Sequence, residues 1–452
     1  MRVWKGFVGL AAAVVLGCSG VIVLGDDTNS NTVGGDQNPP SDQVEAPPAP
    51  AAPVAPATTS YGALMQSLEA IGIGKPMESL GFNIHGYVEG GYLYDMTVPK
   101  DQTPAKTAPG DDILFAGPYK NAFMLNQVDL TVERDMVFLP KGSFDAGFKI
   151  EAGYGRDDYF THSDGILDQH NKQGGTGLDD QLDLLQAYVQ VGIPVGTGII
   201  IEGGKFVQLL GYEMIDPTQN LFYTHSYGFS YGRPYTMTGI LGNYVFSDET
   251  NSNKLSITGG VTRGWNQSLR DNNGDPDAIM QVKETNGVFD CTANLMFGPE
   301  GVLPYGPSDY ADWWIIPEII GTWHVADQFS VSGDFLYGDA PGAGLGGVGQ
   351  AVTVQWFSAA GYLKYQLDPH LSLGTRIEYY HDGRGATTGV GGGDVNYWEA
   401  TVGAGLTPFP DSPWLDGLSV RPEVRCDWVD KPVLDFSKYS QVTAAIDVYF
   451  RF

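Results

Sequence analysis

From Phe82 to the C-terminus, apolar and polar positions alternate with a period of two. "FDAGFKIEAGY" sets Phe144, Ala146, Phe148, Ile150, Ala152 and Tyr154 on one face, with Asp145, Lys149 and Glu151 on the other. "LSVRPEVRCDW" opposes Leu418, Val420, Pro422, Val424, Cys426 and Trp428 to Arg421, Glu423, Arg425 and Asp427. The closing "AAIDVYFRF" repeats the pattern, with Ile446, Val448, Phe450 and Phe452 against Asp447, Tyr449 and Arg451. Chain ends usually fray and gain nothing from apolar side chains. This one reads as a whole strand, because side chains on a strand point to opposite faces in turn. Dyad segments of roughly ten residues predict the strands of a transmembrane barrel.

The connections carry topology. Long ones fall at 96–121, 156–180, 207–233, 338–352 and 381–395, and short ones at 194–197, 248–252, 326–328 and 368–369. Short turns on one rim and long loops on the other are expected of outer-membrane barrels. The trace gives sixteen strands if "AIMQVKE" and "VFDCTANLMF" form a hairpin at Asn286-Gly287, a strong turn dipeptide. Fourteen and eighteen strands stay open. An even number puts both termini on the short-turn side. Tyr154, Trp265, Phe297, Trp313, Phe357, Tyr379, Trp398 and Trp428 then gather near the long-loop rim on the apolar face, as an interfacial girdle would.

Ahead of the barrel, residues 1–25 read as a signal peptide: Arg2 and Lys5 precede an apolar run. Lipidation at Cys18 is an alternative, although Leu16 fits a lipoprotein box poorly. Residues 26–58 form an Asp/Asn- and Pro/Ala-rich linker that cannot build a core. Leu64, Met65, Leu68 and Ile71 recur at helical spacing and predict a short amphipathic helix within 59–75. The barrel itself spans 82–452.

Composition sharpens this. Charged residues are only 17% of the chain, below the roughly 25% usual for soluble domains. The net charge of -28 argues against nucleic acid and anionic membrane surfaces as partners. Of three cysteines, Cys18 would leave with the signal, and Cys291 and Cys426 fall on apolar faces, so no disulfide framework is expected. The seven histidines form no His-Glu-x-x-His, and neither Gly-x-Ser-x-Gly nor a phosphate loop occurs, so neither an enzyme nor a cofactor is indicated. His324 and Glu318, both on the polar face, make one weak acid–base pair. "DNNGDPD" places Asp271, Asn273, Asp275 and Asp277 at alternate positions, as in calcium loops, but Pro276 replaces the usual Gly and the twelfth position is Val282. A solvated surface loop is the expectation there.

Several stretches, "FNIHGYVEGGY", "LNQVDLTVERD", "GKFVQLLGYEMIDPTQNLFYTHSYGFSYGRPYTMTGIL" and "TRGWNQSLRDNNG", resemble the OmpL-like outer-membrane β-barrel porin family over Phe82 to Phe452. The resemblance implies a passive channel in outer-membrane lipid for small hydrophilic solutes or ions, with a homotrimer among its possible assemblies. It also implies that the third long loop folds into the lumen; the C-terminal aromatic strand with Val448, Phe450 and Phe452 separately resembles the signal read by the barrel-assembly machinery. Glu213 and Asp216 would then stand at the constriction with His225, Tyr223 and Tyr227, facing Arg376, Arg421, Arg425 and Arg451. Two readings of those arginines stand. They are structural ion pairs with Glu378, Glu399, Glu423 and Asp447, or one wall of a transverse field that orients solutes. The loop could instead pack as a lid on the rim. Two other functions remain: a substrate-selective channel with an aromatic sliding surface, and a non-conducting barrel that anchors the membrane to the cell wall through the Pro-rich segment.

Overall fold

The computed structural model describes residues 62–97, 121–166, 180–246, 254–301, 312–346, 350–434 and 438–452. The period-two pattern becomes a run of antiparallel strands. They are β1 (Phe82–Asp95), β2 (Ala122–Arg134), β3 (Asp145–Gly155), β4 (Gln181–Ile193), β5 (Ile199–Val207), β6 (Thr236–Val245), β7 (Lys254–Thr262) and β8 (Asp277–Thr285). There follow β9 (Phe289–Glu300), β10 (Asp312–Ala326), β11 (Phe329–Gly346), β12 (Gln350–Asp368), β13 (Leu371–Asp382), β14 (Val395–Leu406), β15 (Leu418–Val429) and β16 (Ser440–Arg451). Each strand pairs with its sequence neighbours, and β1 pairs with β16, closing a barrel of sixteen strands. Closure matters physically, because a sheet edge in lipid would leave backbone groups unpaired. Phe452 takes part: its N–H donates to Gly86 and its carbonyl accepts from it.

The doubtful hairpin forms as its turn dipeptide requires. Gly287 has φ of 77°, and Asn286 Oδ1 accepts from the N–H groups of Val288 and Phe289. Turns at 194–198, 327–328 and 369–370 are short. The predicted long connection at 338–352 is mostly strand instead: β11 and β12 run on past a bulge at Ala340/Gly344 to pair Gly346 with Gln350. Glycine-rich segments can still pair through the backbone, which the side-chain pattern does not reveal. The loop expectations at 98–120, 167–179 and 247–253 lie outside the described residues, as do the signal peptide, Cys18 and the linker. The predicted helix appears as two, α1 (Ala63–Ala70) and α2 (Gly74–Ser79), broken at Gly72 with φ of 82°.

The alternating faces behave as the pattern demands. Ile150, Ile240, Val261, Ile377, Val402 and Val424 point out of the barrel and stay exposed. The rings of Phe297 and Trp313 lie 6.3 Å apart, those of Phe357 and Tyr379 6.2 Å, and those of Tyr379 and Trp398 5.6 Å, forming an outer aromatic belt on the long-loop side. Trp265 does not join it. It follows β7 in a loop and packs inside the barrel on Trp314 and Trp356, at 6.0 Å from each. Continuing the alternation past Thr262 put it on the wrong face. Cys291 is buried, Cys426 half-buried, and both are free thiols. Replacing Ile377, 60% exposed in the middle of β13, by Arg is expected to cost about 2–4 kcal/mol of stability in a bilayer. Chemical unfolding from phospholipid vesicles measures it. Thr375→Ile, on the same outer face, serves as the mild control.

Candidate functional site

The long segment between β5 and β6, residues 208–235, does not stand above the rim. It runs down into the lumen, a short turn of 3-10 helix at Pro217–Gln219 and a short helix, α4 (Tyr227–Tyr231), shaping it. Another short helix, α3 (Asp158–Thr161), enters beside it from the β3–β4 connection. A segment so rich in Tyr, Phe, Leu and Ile gains by leaving water. Its backbone polar groups must then find partners, and the barrel wall supplies them.

Four wall carboxylates take the loop's N–H groups. Glu318 accepts from Gly211 at 2.8 Å and Asp334 from Tyr212 at 3.1 Å. Glu423 accepts from Tyr223 at 2.8 Å, Thr224 N at 3.3 Å and Thr224 Oγ1 at 2.5 Å. Glu378 accepts from Tyr227 at 2.6 Å and Gly228 at 2.7 Å, at the N-terminal end of α4. Wall donors take its carbonyls: Arg421 Nη1 bonds Pro217 O and Asn220 O, Arg376 Nη1 bonds Thr224 O, Arg425 Nη1 bonds His225 O and Trp356 Nε1 bonds Gly232 O. Two glycines make the fit. Gly91 on β1 leaves the space that the Tyr223 ring fills, and Gly228 lies directly on Ser358.

The predicted site residues divide accordingly. Glu213 is buried, with Oε1 on Arg376 Nη1 at 2.8 Å and on the Tyr362 hydroxyl at 3.1 Å. Its Oε2 receives His225 Nδ1 at 3.1 Å and Ser226 N at 2.8 Å. Burial pushes the Glu213 carboxyl up, yet the Arg376 guanidinium and His225 ring outweigh it and hold the group well below the usual carboxylate range. Burial likewise keeps His225 below its ordinary value despite Glu213. The His225 ring stacks on Phe229 at 4.0 Å. Asp216 caps the 3-10 turn, accepting from Thr218 N at 2.9 Å. Arg376 also pairs with Glu399 at 2.6 Å, Arg421 with Asp447 at 2.6 Å and Glu89 at 2.9 Å, and Arg425 with Asp427 at 2.8 Å. Guanidinium carbons of Arg376 and Arg425 lie 5.2 Å from the ring centres of Phe222 and Tyr227. Arg451 stands apart, exposed at the short-turn end of β16.

These arginines do not face open water. Arg376 and Arg425 are fully buried and Arg421 nearly so, each paired on two or more sides. Tyr223 and Tyr227 also turn to the wall, their hydroxyls donating to Asn126 and Asp427. The sequence reading missed Arg233, which bonds Asp334 at 3.0 Å, Glu318 at 3.0 Å and Gly228 O at 3.1 Å. Its signal was present: a cation amid "SYGRPY" has to be paired if the loop is buried.

Among the described residues the lumen is closely packed at this level. Tyr227, Trp356, Tyr380 and Tyr397 have no exposed surface, and on the opposite side α3 fills the space, Thr161 Oγ1 reaching Asp183 at 2.7 Å and Asp157 accepting from Gln127 at 3.2 Å. Below the loop, toward the short turns, the lining becomes polar and half-exposed, as at Lys149, Tyr188 and Gln190. A cavity of about 190 Å³ lies there between Tyr212, Gln219, Asn220, Gln366, Ser372 and Arg421.

A closed sixteen-stranded barrel with lipid-facing apolar residues, a polar lower lumen and an inward third loop is the architecture of an outer-membrane porin. Residues 81–452 match the family described as "Putative beta-barrel porin-2, OmpL-like", and the chain belongs to that family. OprB of Pseudomonas putida has a similar fold, at 13% identity and a TM-score of 0.52, covering 85% of this chain and 97% of that one. OmpF of Salmonella typhi, also 13% identical, gives a TM-score of 0.52 over 82% and 97% of the two chains. An anion-selective porin from Comamonas acidovorans, 10% identical, gives 0.50 over 82% and 99%. These likenesses concern the fold. A comparison with curated proteins finds no match.

Proposed function

We propose that this porin carries small hydrophilic solutes passively, through a lumen whose constriction is the clamped third loop. The supporting observation is the set of wall-to-loop bonds, which satisfies an inward segment on both its N–H and C=O sides. Glu213, His225, Arg376, Arg421 and Arg425 act as the clamp, and Asp216 shapes the loop's underside. Arg451 contributes charge to the lower mouth. The clamp leaves conductance low, and displacement of the loop raises it. The protein performs no catalysis in this reading. Residues 1–25 direct export, residues 26–58 serve as a linker, and Val448, Phe450 and Phe452 are read during barrel assembly. Assembly as a homotrimer is a further part of the proposal, to be checked by crosslinking in native membranes.

Planar-bilayer recording tests the reading. Small steps that scale with salt and show no saturation by sugars are expected. Saturable block by one solute class would favour a selective channel. Total absence of current, in the wild type and in loop-deleted protein alike, would leave only the anchor.

A further inference from the structure

Beside the third loop, α3 lies in the lumen against β3 and β4. Its Asp158 is 4% exposed. A Cβ on Gly153 would overlap Asp158 Oδ1, so this glycine of β3 leaves the space that the carboxyl fills. The neighbouring Asp157 is well served, taking Gln127 Nε2 at 3.2 Å and Asn126 Nδ2 at 3.3 Å. Asp158 Oδ2, by contrast, is buried and meets no donor.

The surroundings add negative charge. β2 brings Asp129, whose Oδ2 is also buried without a donor. β3 brings Glu151, held by Lys149 at 3.1 Å and Gln186 at 2.6 Å. β4 brings Asp183, which takes Thr161 Oγ1 at 2.7 Å, Lys205 of β5 at 3.3 Å and the His162 ring at 3.7 Å. Further out, Glu89 of β1 bears on Asp157, and Asp216 of the third loop on Asp129. Arg156 lies 5.4 Å from the Tyr159 ring centre and acts on Asp157. Among the described residues, Lys149 and Lys205 are engaged by Glu151 and Asp183, and neither pairs with Asp158. A buried carboxylate with no donor, among other carboxylates, is costly to ionise, and a proton removes that cost.

We propose that a proton on Asp158 keeps α3 docked in the lumen, and that its loss in alkali releases α3 toward water and widens the passage beside β3 and β4. The effect on current rests on the channel reading; the docking itself does not. Burial, with Asp183 and Asp157 beside it, pushes the Asp158 carboxyl up to about 9. Burial also lifts Asp157 to about 7 against the hydrogen bonds from Gln127 and Asn126. A carboxyl raised in this way favours the docked state most while it stays protonated, and the preference fades as pH climbs through about 9. Glu213, held well below the usual range, stays ionised throughout, so its part of the third-loop clamp does not follow the same pH.

Two readouts on the full chain test this. Single-channel conductance should rise about twofold between about pH 6 and about pH 10. Hydrogen exchange across residues 156–163, corrected for its intrinsic pH dependence, should quicken over the same range. Asp158→Asn, neutral at every pH, should hold both readouts at their acid values, while Asp275→Asn, an exposed rim acid, should keep the wild-type slopes. Gly153→Ala, which crowds Asp158 from its place, should show the alkaline values already in acid, and it decides if Asp158→Asn fails to fold. Flat exchange in the wild type, flat conductance in a conducting wild type, slopes kept by Asp158→Asn, or wild-type behaviour of Gly153→Ala overturns the proposal. Silence at every pH with exchange still rising would count against the channel reading and support the docking.

Discussion

Replacing Glu378 and Glu423 together by Ala is expected to raise single-channel conductance several-fold, with longer open events. Glu423 serves Tyr223 and Thr224, and Glu378 serves Tyr227 and Gly228, so the pair holds both ends of the deepest part of the loop. Each charge-assisted bond is worth about 1.5–3 kcal/mol, and its loss leaves N–H groups that water can satisfy only if the loop moves toward it. Gly228 presses on Ser358, so the loop cannot settle deeper and relax that way. The barrel's own ladder is untouched by these changes. Heat-modified migration on gels should therefore remain that of wild type while conductance rises. Unchanged conductance in a folded double variant would show that the loop is held by its apolar packing alone.

Removal of Arg376 should have the largest effect on stability. Its guanidinium is enclosed by Glu213, Glu399 and Thr224 O. Without it, Glu213 and Glu399 lose their nearest counter-charge, Glu399 keeping only Arg425 at 3.7 Å, and deleting one partner of a buried pair costs about 3–5 kcal/mol. Arg376→Met keeps most of the volume, so the loss reports charge rather than a cavity. Chemical unfolding of refolded protein in detergent checks it. Arg376→Lys should recover only part, because an ammonium cannot present the same fork to Glu399 and Glu213 at once. Reversal of Arg421 and Arg425 is expected to destabilise in the same way and to leave ion preference nearly unaltered, since both guanidiniums are already paired with Asp447, Glu89 and Asp427. A clear shift of reversal potential in that variant would restore the transverse-field reading of these arginines.

The barrel was legible because its rule is local. Alternation over ten residues states which face meets lipid, and one Asn-Gly dipeptide settles a strand pair. That rule fails where side chains stop reporting. Gly344 to Gly346 pair with Val352 to Gln350 although their glycine-rich sequence shows no alternation, and Trp265 sits beyond the last rung of β7, where continued alternation has no meaning. The site was legible in its members more than in its role. Charged residues on β13 and β15 announce an inner wall, but sequence does not say whether water or a loop stands before them. That depends on contacts across more than a hundred residues, such as Gly211 with Glu318 and Tyr223 with Glu423. The clue was compositional: a loop with Phe222, Tyr223, Tyr227, Phe229 and Tyr231 is too apolar to be left in water.

The central claim is that the third loop separates an open lower lumen from the long-loop side. Gln366 lines the cavity beneath it. With Cys18, Cys291 and Cys426 replaced, Gln366→Cys in oriented vesicles should react faster from the short-turn side than from the other with a charged thiol reagent too bulky for the constriction. Equal labelling rates from both sides would contradict the account.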